Sequence, residues 1–219
     1  NLNYDEQSSI NNVNEALQSN LTQKNLAFGI QHQRTWNKKL ETYAQVYLSN
    51  YNLFALNFDV INNQRLIQEN EVYDGGLKLH ATYKLDETLG YFGGYQFTEV
   101  GISNLEDVLN PDYRKKEKKV LRTHSIFNEV KFLSPSKNTS TRLGIRTNYI
   151  EKFSEFYFEP RLSITQKFLN TFRFEILGEI KSQSTTQIID LQNDFLGIEK
   201  RRWVLANNED TPVLESKQV

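Results

Sequence analysis

Apolar and polar residues alternate one by one along much of this chain, and this pattern restricts the fold more than any other feature of the sequence. Successive side chains of a β-strand point to opposite faces, so such alternation predicts a strand with one apolar and one polar face. The clearest example is residues 72–85. There the apolar positions are Leu77, Leu79, Ala81, Tyr83 and Leu85, and the polar positions are Lys78, His80, Thr82 and Lys84.

The same pattern recurs along the chain and predicts an all-β fold. We expect about eight strands in an up-and-down antiparallel meander, with residues 1–24 forming a loop or the start of a loop/strand region. The predicted strands lie near residues 25–34, 41–59, 72–85, 89–101, 120–134, 140–150, 157–168 and 172–189. A helix over residues 5–20 is the one helical alternative, since Ile10, Val13 and Leu17 have helical spacing, and a loop fits these residues equally well.

The predicted connections alternate between short and long. Short turns with long loops on the opposite side are typical of outer-membrane barrels, which have tight periplasmic turns and extended outer loops. The predicted strands also exceed the 5–6 residues usual in soluble proteins. Residues 25–219 are therefore predicted to form part of a larger transmembrane β-barrel. The short turns lie near 36–40, 86–88, 135–139 and 169–171, and the longer connections are 60–71, 102–119 and 190–215, with 151–156 intermediate.

Composition excludes several classes of function. The chain has 219 residues, a net charge of −1 and no cysteine, so disulfides, a thiolate nucleophile and cysteine-ligated zinc are excluded. It has no apolar run long enough for a transmembrane helix. No nucleophile or metal-binding motif is present, so we expect no enzyme activity, no cofactor and no metal site. Neither end has the features of a natural terminus, and we expect both to be cuts within a longer chain.

Several clusters of charged or titratable residues have a structural interpretation. Glu175 and Glu179 share a strand face but are four residues apart, about 13 Å, too far for a pair of catalytic carboxylates. We expect them to pair with Arg173 and Lys181. The three histidines, His32, His80 and His124, fall on separate predicted strands and are expected at strand surfaces. The basic run 114–119 is expected at a solvated loop edge that touches lipopolysaccharide phosphates, and Gly93 and Gly94 in a barrel wall covered by neighbouring rings.

The long segment 190–215 is the candidate ligand-contact region. Loops longer than about 12–15 residues are usually functional or disordered. The candidate contact residues are Phe195, Arg201, Arg202 and Trp203. Aromatic rings beside guanidinium groups can stack on a flat ligand and hold an anionic group. The alternative is that the aromatic residues only pack this segment against the barrel rim or anchor it at the membrane interface.

Local sequences add a resemblance to a known family. The string Glu159-Pro160-Arg161-Leu162-Ser163 opens a strand, preceded by residues 144–149 (GIRTNY) and followed by residues 195–203 (FLGIEKRRW). With hairpin spacing around them, these strings resemble the barrel of TonB-dependent outer-membrane receptors of the Bacteroidetes type. The resemblance implies an internal segment of a 22-stranded barrel that holds an N-terminal plug and takes up a nutrient with energy from TonB. It also implies outer-membrane lipid and lipopolysaccharide as surroundings, the remaining strands and the plug as partners, and TonB contact through that plug, which this segment lacks.

Two other interpretations of the pattern remain open. One is a soluble β-sandwich that acts as a binding or structural module, in which sequential strands would be divided between two packed sheets. The other is an outer-membrane barrel without TonB coupling. Strand order distinguishes the sandwich from the barrel, and so does solubility, since a barrel segment should need detergent.

Overall fold

A computed structural model describes residues 2–7, 17–59, 63–169, 171–190, 200–207 and 209–219. These residues form twelve strands. The strands are β1 (Leu2–Gln7), β2 (Leu17–Thr35), β3 (Leu40–Asp59), β4 (Gln64–Lys84), β5 (Leu89–Leu109), β6 (Tyr113–Leu133), β7 (Thr139–Ile150), β8 (Glu155–Phe168), β9 (Phe172–Gln183), β10 (Thr185–Asp190), β11 (Lys200–Leu205) and β12 (Leu214–Gln218). Within the described part of the chain, no helix is long and apolar enough to cross a membrane.

The strands pair in the order of the sequence. One antiparallel sheet of ten strands has the order β1-β2-β3-β4-β5-β6-β7-β8-β9-β12, and β10 and β11 form a separate two-stranded hairpin. The predicted all-β, up-and-down antiparallel meander is confirmed. Apart from the β10–β11 hairpin, sequential strands lie side by side in one sheet and are not divided between two packed sheets, so the described topology argues against the sandwich interpretation.

The strands are longer and more numerous than predicted. Residues 60–71 and 102–119 were expected to be loops, but β4 already begins at Gln64, β5 continues to Leu109 and β6 begins at Tyr113. The prediction was wrong because both faces of these strand ends are rich in polar residues, which removes the alternation on which it was based. Their backbones nevertheless pair without interruption from Arg65–Leu109 to Lys84–Gly90.

The predicted short turns have the local chemistry that tight turns require. In the turn between β4 and β5, the Asp86 Oδ1 atom accepts hydrogen bonds from the Thr88 hydroxyl (2.7 Å), the Thr88 amide (2.7 Å) and the Leu89 amide (2.8 Å). These hydrogen bonds, the one from the Thr88 hydroxyl above all, lower the pKa of Asp86 below its ordinary value. In the short turn between β6 and β7, the Lys137 backbone adopts the left-handed conformation, with a φ of 57°.

The sheet has an apolar outer face and a polar inner face, defined here as the faces that carry Leu162 and Arg146, respectively. Cross-strand pairing places the apolar positions of the alternating strands on the outer face, as in Leu143–Leu162 and Ile164–Ile176. Many of these side chains are exposed, with Leu143 at 62% and Leu162 at 41%. The predicted division of the faces is confirmed by this register. On the outer face a Cβ added at Gly93 would lie 2.5 Å from the Tyr91 hydroxyl oxygen, so a ring does cover this glycine, as expected.

A small apolar cluster lies at the opposite end of the sheet from the short turns. Ile102, Leu121 and Ile150 belong to the inner face of β5, β6 and β7, and they pack against Leu205 at the end of β11. Leu205 is only 2% exposed. The β10–β11 hairpin therefore folds back over the inner face instead of extending away from the sheet.

Candidate functional site on the inner face

A network of polar side chains crosses the inner face with Arg146 at its centre. The Arg146 Nε atom donates to Asn148 Oδ1 (2.8 Å), and its Nη2 atom donates to Ser125 Oγ (2.9 Å). Both terminal nitrogens also donate to Gln96 Oε1 at 3.2 Å. These partners come from β5, β6 and β7, so a single guanidinium group links three neighbouring strands.

Glu159 continues this network onto β8 and β9. It is only 5% exposed and lies opposite Arg146 in the sheet. Its Oε1 atom accepts hydrogen bonds from Asn148 Nδ2 (2.8 Å), from the Ser182 amide (2.9 Å) and from the Ser182 hydroxyl (2.6 Å). Because a buried carboxylate is stable only when it is paired and hydrogen-bonded, these donors and the nearby Arg146 account for its presence here.

More exposed charges surround this network. Arg173 Nη2 lies 3.0 Å from Glu175 Oε2, and Lys181 pairs with Glu179, as predicted for both carboxylates. Arg161 Nε is 3.8 Å from Glu179 Oε2 and 45% of its side chain is exposed. The inner face thus presents cations and anions in close alternation, as a solvated surface does.

A row of rings crosses the inner face nearer the short turns. Tyr43 stacks on His80 with centroids 4.5 Å apart, and His80, Phe92 and Phe127 continue the row at 5.0 and 5.4 Å. Gly94 makes room for this row, because an added Cβ would come within 2.7 Å of the Phe127 ring. Arg146 lies 5.8 Å from the centroid of Phe127, so the row ends at the polar network.

The predicted ligand-contact residues are only partly within the described structure. Phe195 lies outside the described residues. Arg201, Arg202 and Trp203 were expected in an irregular loop, but they lie in β11, opposite Ile189, Ile188 and Gln187 of β10. This expectation was wrong because residues 200–205 (KRRWVL) do not alternate between apolar and polar positions, so the pattern predicts no strand there. Trp203 is 37% exposed; a ligand contact by these four residues stays a prediction.

The histidines lie on separate strands, as predicted, but two of them have partners that the sequence did not indicate. His80 belongs to the ring row on the inner face. His124 lies on the outer face, with Nδ1 2.7 Å from the Tyr95 hydroxyl oxygen and Nε2 2.7 Å from Glu151 Oε1. Among the described residues, no group of three or more histidine or acidic side chains is placed to hold a metal ion.

A single antiparallel meander with an apolar outer face and a charged inner face defines the class of structure as a section of barrel wall. Comparison with solved structures gives the same fold. The RagAB peptide transporter superposes with a TM-score of 0.59 at 12% identity, over 92% of this chain and 28% of that chain. The RagAB peptide importer in its closed-closed state superposes with a TM-score of 0.59 at 12% identity, over 92% and 27%.

These similarities concern the fold alone. This chain spans less than a third of the length of the two transporter chains. No protein-family model matches the sequence, and no curated protein matches it either.

Proposed function

We propose that this chain is part of the wall of an outer-membrane β-barrel transporter that takes up a nutrient, with energy supplied by TonB through a plug domain. The observation that carries the proposal is the contrast between the two faces of one sheet. Leu143, Phe158 and Phe174 on the outer face are 58–62% exposed, whereas charged side chains line the inner face. A lipid bilayer outside and a wet lumen inside account for both.

If the outer face contacts lipid, the same substitution should destabilise the barrel on the outer face and be tolerated on the inner face. Leu162 of β8 faces outward and is 41% exposed, and Leu177 of β9 faces inward and is 55% exposed. We expect Leu162→Arg to lower the stability of the full-length barrel by about 2–4 kcal/mol, the cost of a cation near the bilayer midplane. Leu177→Arg should be tolerated, because it places the same cation among Glu175, Glu179 and water.

The measurement is the folded fraction of each full-length variant in lipid vesicles as a function of urea. Leu177→Arg serves as the matched control, since residue type and charge change are the same. Equal destabilisation by both substitutions would contradict the lipid-facing assignment.

Peptides are the first cargo to test, because both structural neighbours are named as peptide transporters. A peptide carries a positive amino terminus, a negative carboxyl terminus and side chains of either sign, and the inner face offers both cations (Arg161, Lys181) and anions (Glu175, Glu179). We expect cells that express the full-length protein to accumulate a labelled peptide mixture, and to lose this uptake when TonB is removed. Surface abundance should be the same in both strains.

The alternatives give different results in this experiment. Uptake that persists without TonB would support an outer-membrane barrel without energy coupling. Absence of peptide uptake at normal abundance would exclude peptides as the cargo and leave the barrel assignment to the vesicle experiment.

A further inference from the structure

The basic run Arg114–Lys119 lies in β6, not in the loop edge that its sequence suggested. Residues 113–132 of β6 pair with β5 without a bulge, so their side chains alternate regularly between the two faces. Lys116 and Lys118 share the outer face with Ile126 and Val130. Lys115, Glu117 and Lys119 share the inner face.

This alternation separates neutralised cations from cations that have no acidic partner. On the inner face, Glu117 lies 2.9 Å from Lys115 Nζ and 3.9 Å from Lys119 Nζ. On the outer face, Lys116 and Lys118 are exposed, and no carboxylate of the described residues lies within ion-pair distance of either one.

The acidic groups on the same face are engaged elsewhere. Asp107 lies 3.4 Å from Arg65 and 3.7 Å from Arg114. Glu69 and Glu71 accept hydrogen bonds from the side chains of Asn52 and Asn50 on β3. Both glutamates belong to β4, two strands and therefore about 10 Å from β6. Lys116 and Lys118 thus form a cationic pair whose charge is not cancelled locally.

The distance of Lys116 and Lys118 from the short turn, measured along β6, matches the level at which lipid headgroups begin in a membrane. The exposed apolar residues of β6 on the outer face begin at Phe132, near the short turn, and continue through Val130 and Ile126 to Val120. The ten residue steps from Phe132 to Arg122 climb about 25 Å along a strand tilted by about 40°, which is the height of the apolar band of such barrels, so Val120 lies at its upper edge. Lys118 stands about 10 Å above Arg122, and a lysine side chain can reach down by several ångströms.

The wall is also open beside this pair. β7 pairs with β6 only from Thr123 to Leu133, so among the described residues no strand pairs with 113–122 on that side. The space beside Lys116 and Lys118 is therefore accessible from the outside of the barrel.

We propose that Lys116 and Lys118 bind the phosphate groups of lipid A, the phosphorylated anchor of lipopolysaccharide, on the outer surface of the barrel. This inference rests on the proposed location in the outer membrane. Lipid A fits better than an acidic protein, because its phosphates lie just above the apolar band and beside the wall, where both lysines are directed.

The inner-face lysines provide a matched control for the test. The full-length protein, purified free of lipopolysaccharide in neutral detergent, is titrated with lipid A and with dephosphorylated lipid A. We expect K116Q/K118Q to weaken lipid A binding by about tenfold or more, since each lysine near an anionic surface strengthens binding severalfold. K115Q/K119Q makes the same change of net charge in the same strand and should bind as the unmodified protein does. K116R/K118R should retain binding, and all variants should show the same folded fraction.

Three results would overturn the proposal. The first is equal loss in both glutamine pairs, which would indicate general charge attraction. The second is equal binding of phosphorylated and dephosphorylated lipid A by the unmodified protein. The third is unchanged lipid A binding by K116Q/K118Q, including the case in which this variant instead loses binding to an acidic peptide. Because the assay measures lipid binding in detergent, its failure leaves the uptake and vesicle experiments unaffected.

Discussion

Replacement of Glu159 by leucine is expected to destabilise the full-length barrel by about 3–5 kcal/mol. The substitution removes the acceptor for Asn148 Nδ2 and for both Ser182 donors. It also leaves the half-buried Arg146 without its nearest carboxylate, 4.0 Å away. Loss of one partner of a buried charged network costs this much because the remaining charge and donors stay desolvated.

Glu175→Leu is the control for this prediction. Glu175 occupies the inner face of β9 and pairs with Arg173, but both side chains are substantially exposed, at 34% and 61%. Exposed ion pairs contribute about 0–1 kcal/mol, so this control should change stability little. Urea unfolding in detergent, followed by intrinsic tryptophan fluorescence, compares the two variants. A Glu159→Leu protein as stable as the control would mean that the network adds nothing to the sheet.

Replacement of Leu205 by alanine is expected to release the β10–β11 hairpin from the inner face. Leu205 is 2% exposed and packs on Ile102, Leu121 and Ile150. Truncation of a buried leucine costs about 2–5 kcal/mol. We expect a loss of about 3 kcal/mol in the free energy of hairpin docking. This loss raises the population of the undocked hairpin by about 100-fold.

Limited proteolysis of the folded, full-length protein measures this release. Cleavage within residues 185–213 should accelerate in Leu205→Ala, while the rest of the barrel stays resistant. Leu214→Ala is the control, because Leu214 is 49% exposed and lies just beyond the hairpin. If both variants are cleaved at the same rate, the apolar cluster does not hold the hairpin in place.

The sequence predicts the part of the fold in which the two faces differ. From residue 72 to 85, and again from 140 to 150, one face is apolar and the other is polar, so alternation predicts both the strand and its orientation. The charged residues Arg173 and Glu175, two apart on one face, were likewise predicted to pair. In the part of β4 that precedes Asn70 and the part of β5 that follows Gly101, both faces are largely polar. There the sequence pattern no longer distinguishes a paired strand from a loop.

The candidate site was harder to predict, because it depends on register between strands. Gln96 and Arg146 are 50 residues apart, and their hydrogen bonds require the intervening strand pairings to be aligned. A sequence with alternating residues shows which side chains share a face, but it does not show which ones are neighbours across the sheet. The docking of Leu205 shows the same limit, since its three partners lie 55 or more residues earlier in the chain.

The unequal lengths of the strands give the wall an uneven upper edge. β3 to β6 have 20–21 residues, whereas β7 and β8 have 12 and 14. At about 3.3 Å per residue and a tilt near 40°, the upper end of β7 lies about 20 Å below the upper end of β6. In the proposed outer-membrane location, a molecule that arrives from outside the cell therefore crosses a shorter wall at β7 and β8 than at β3 to β6 before it reaches the inner face.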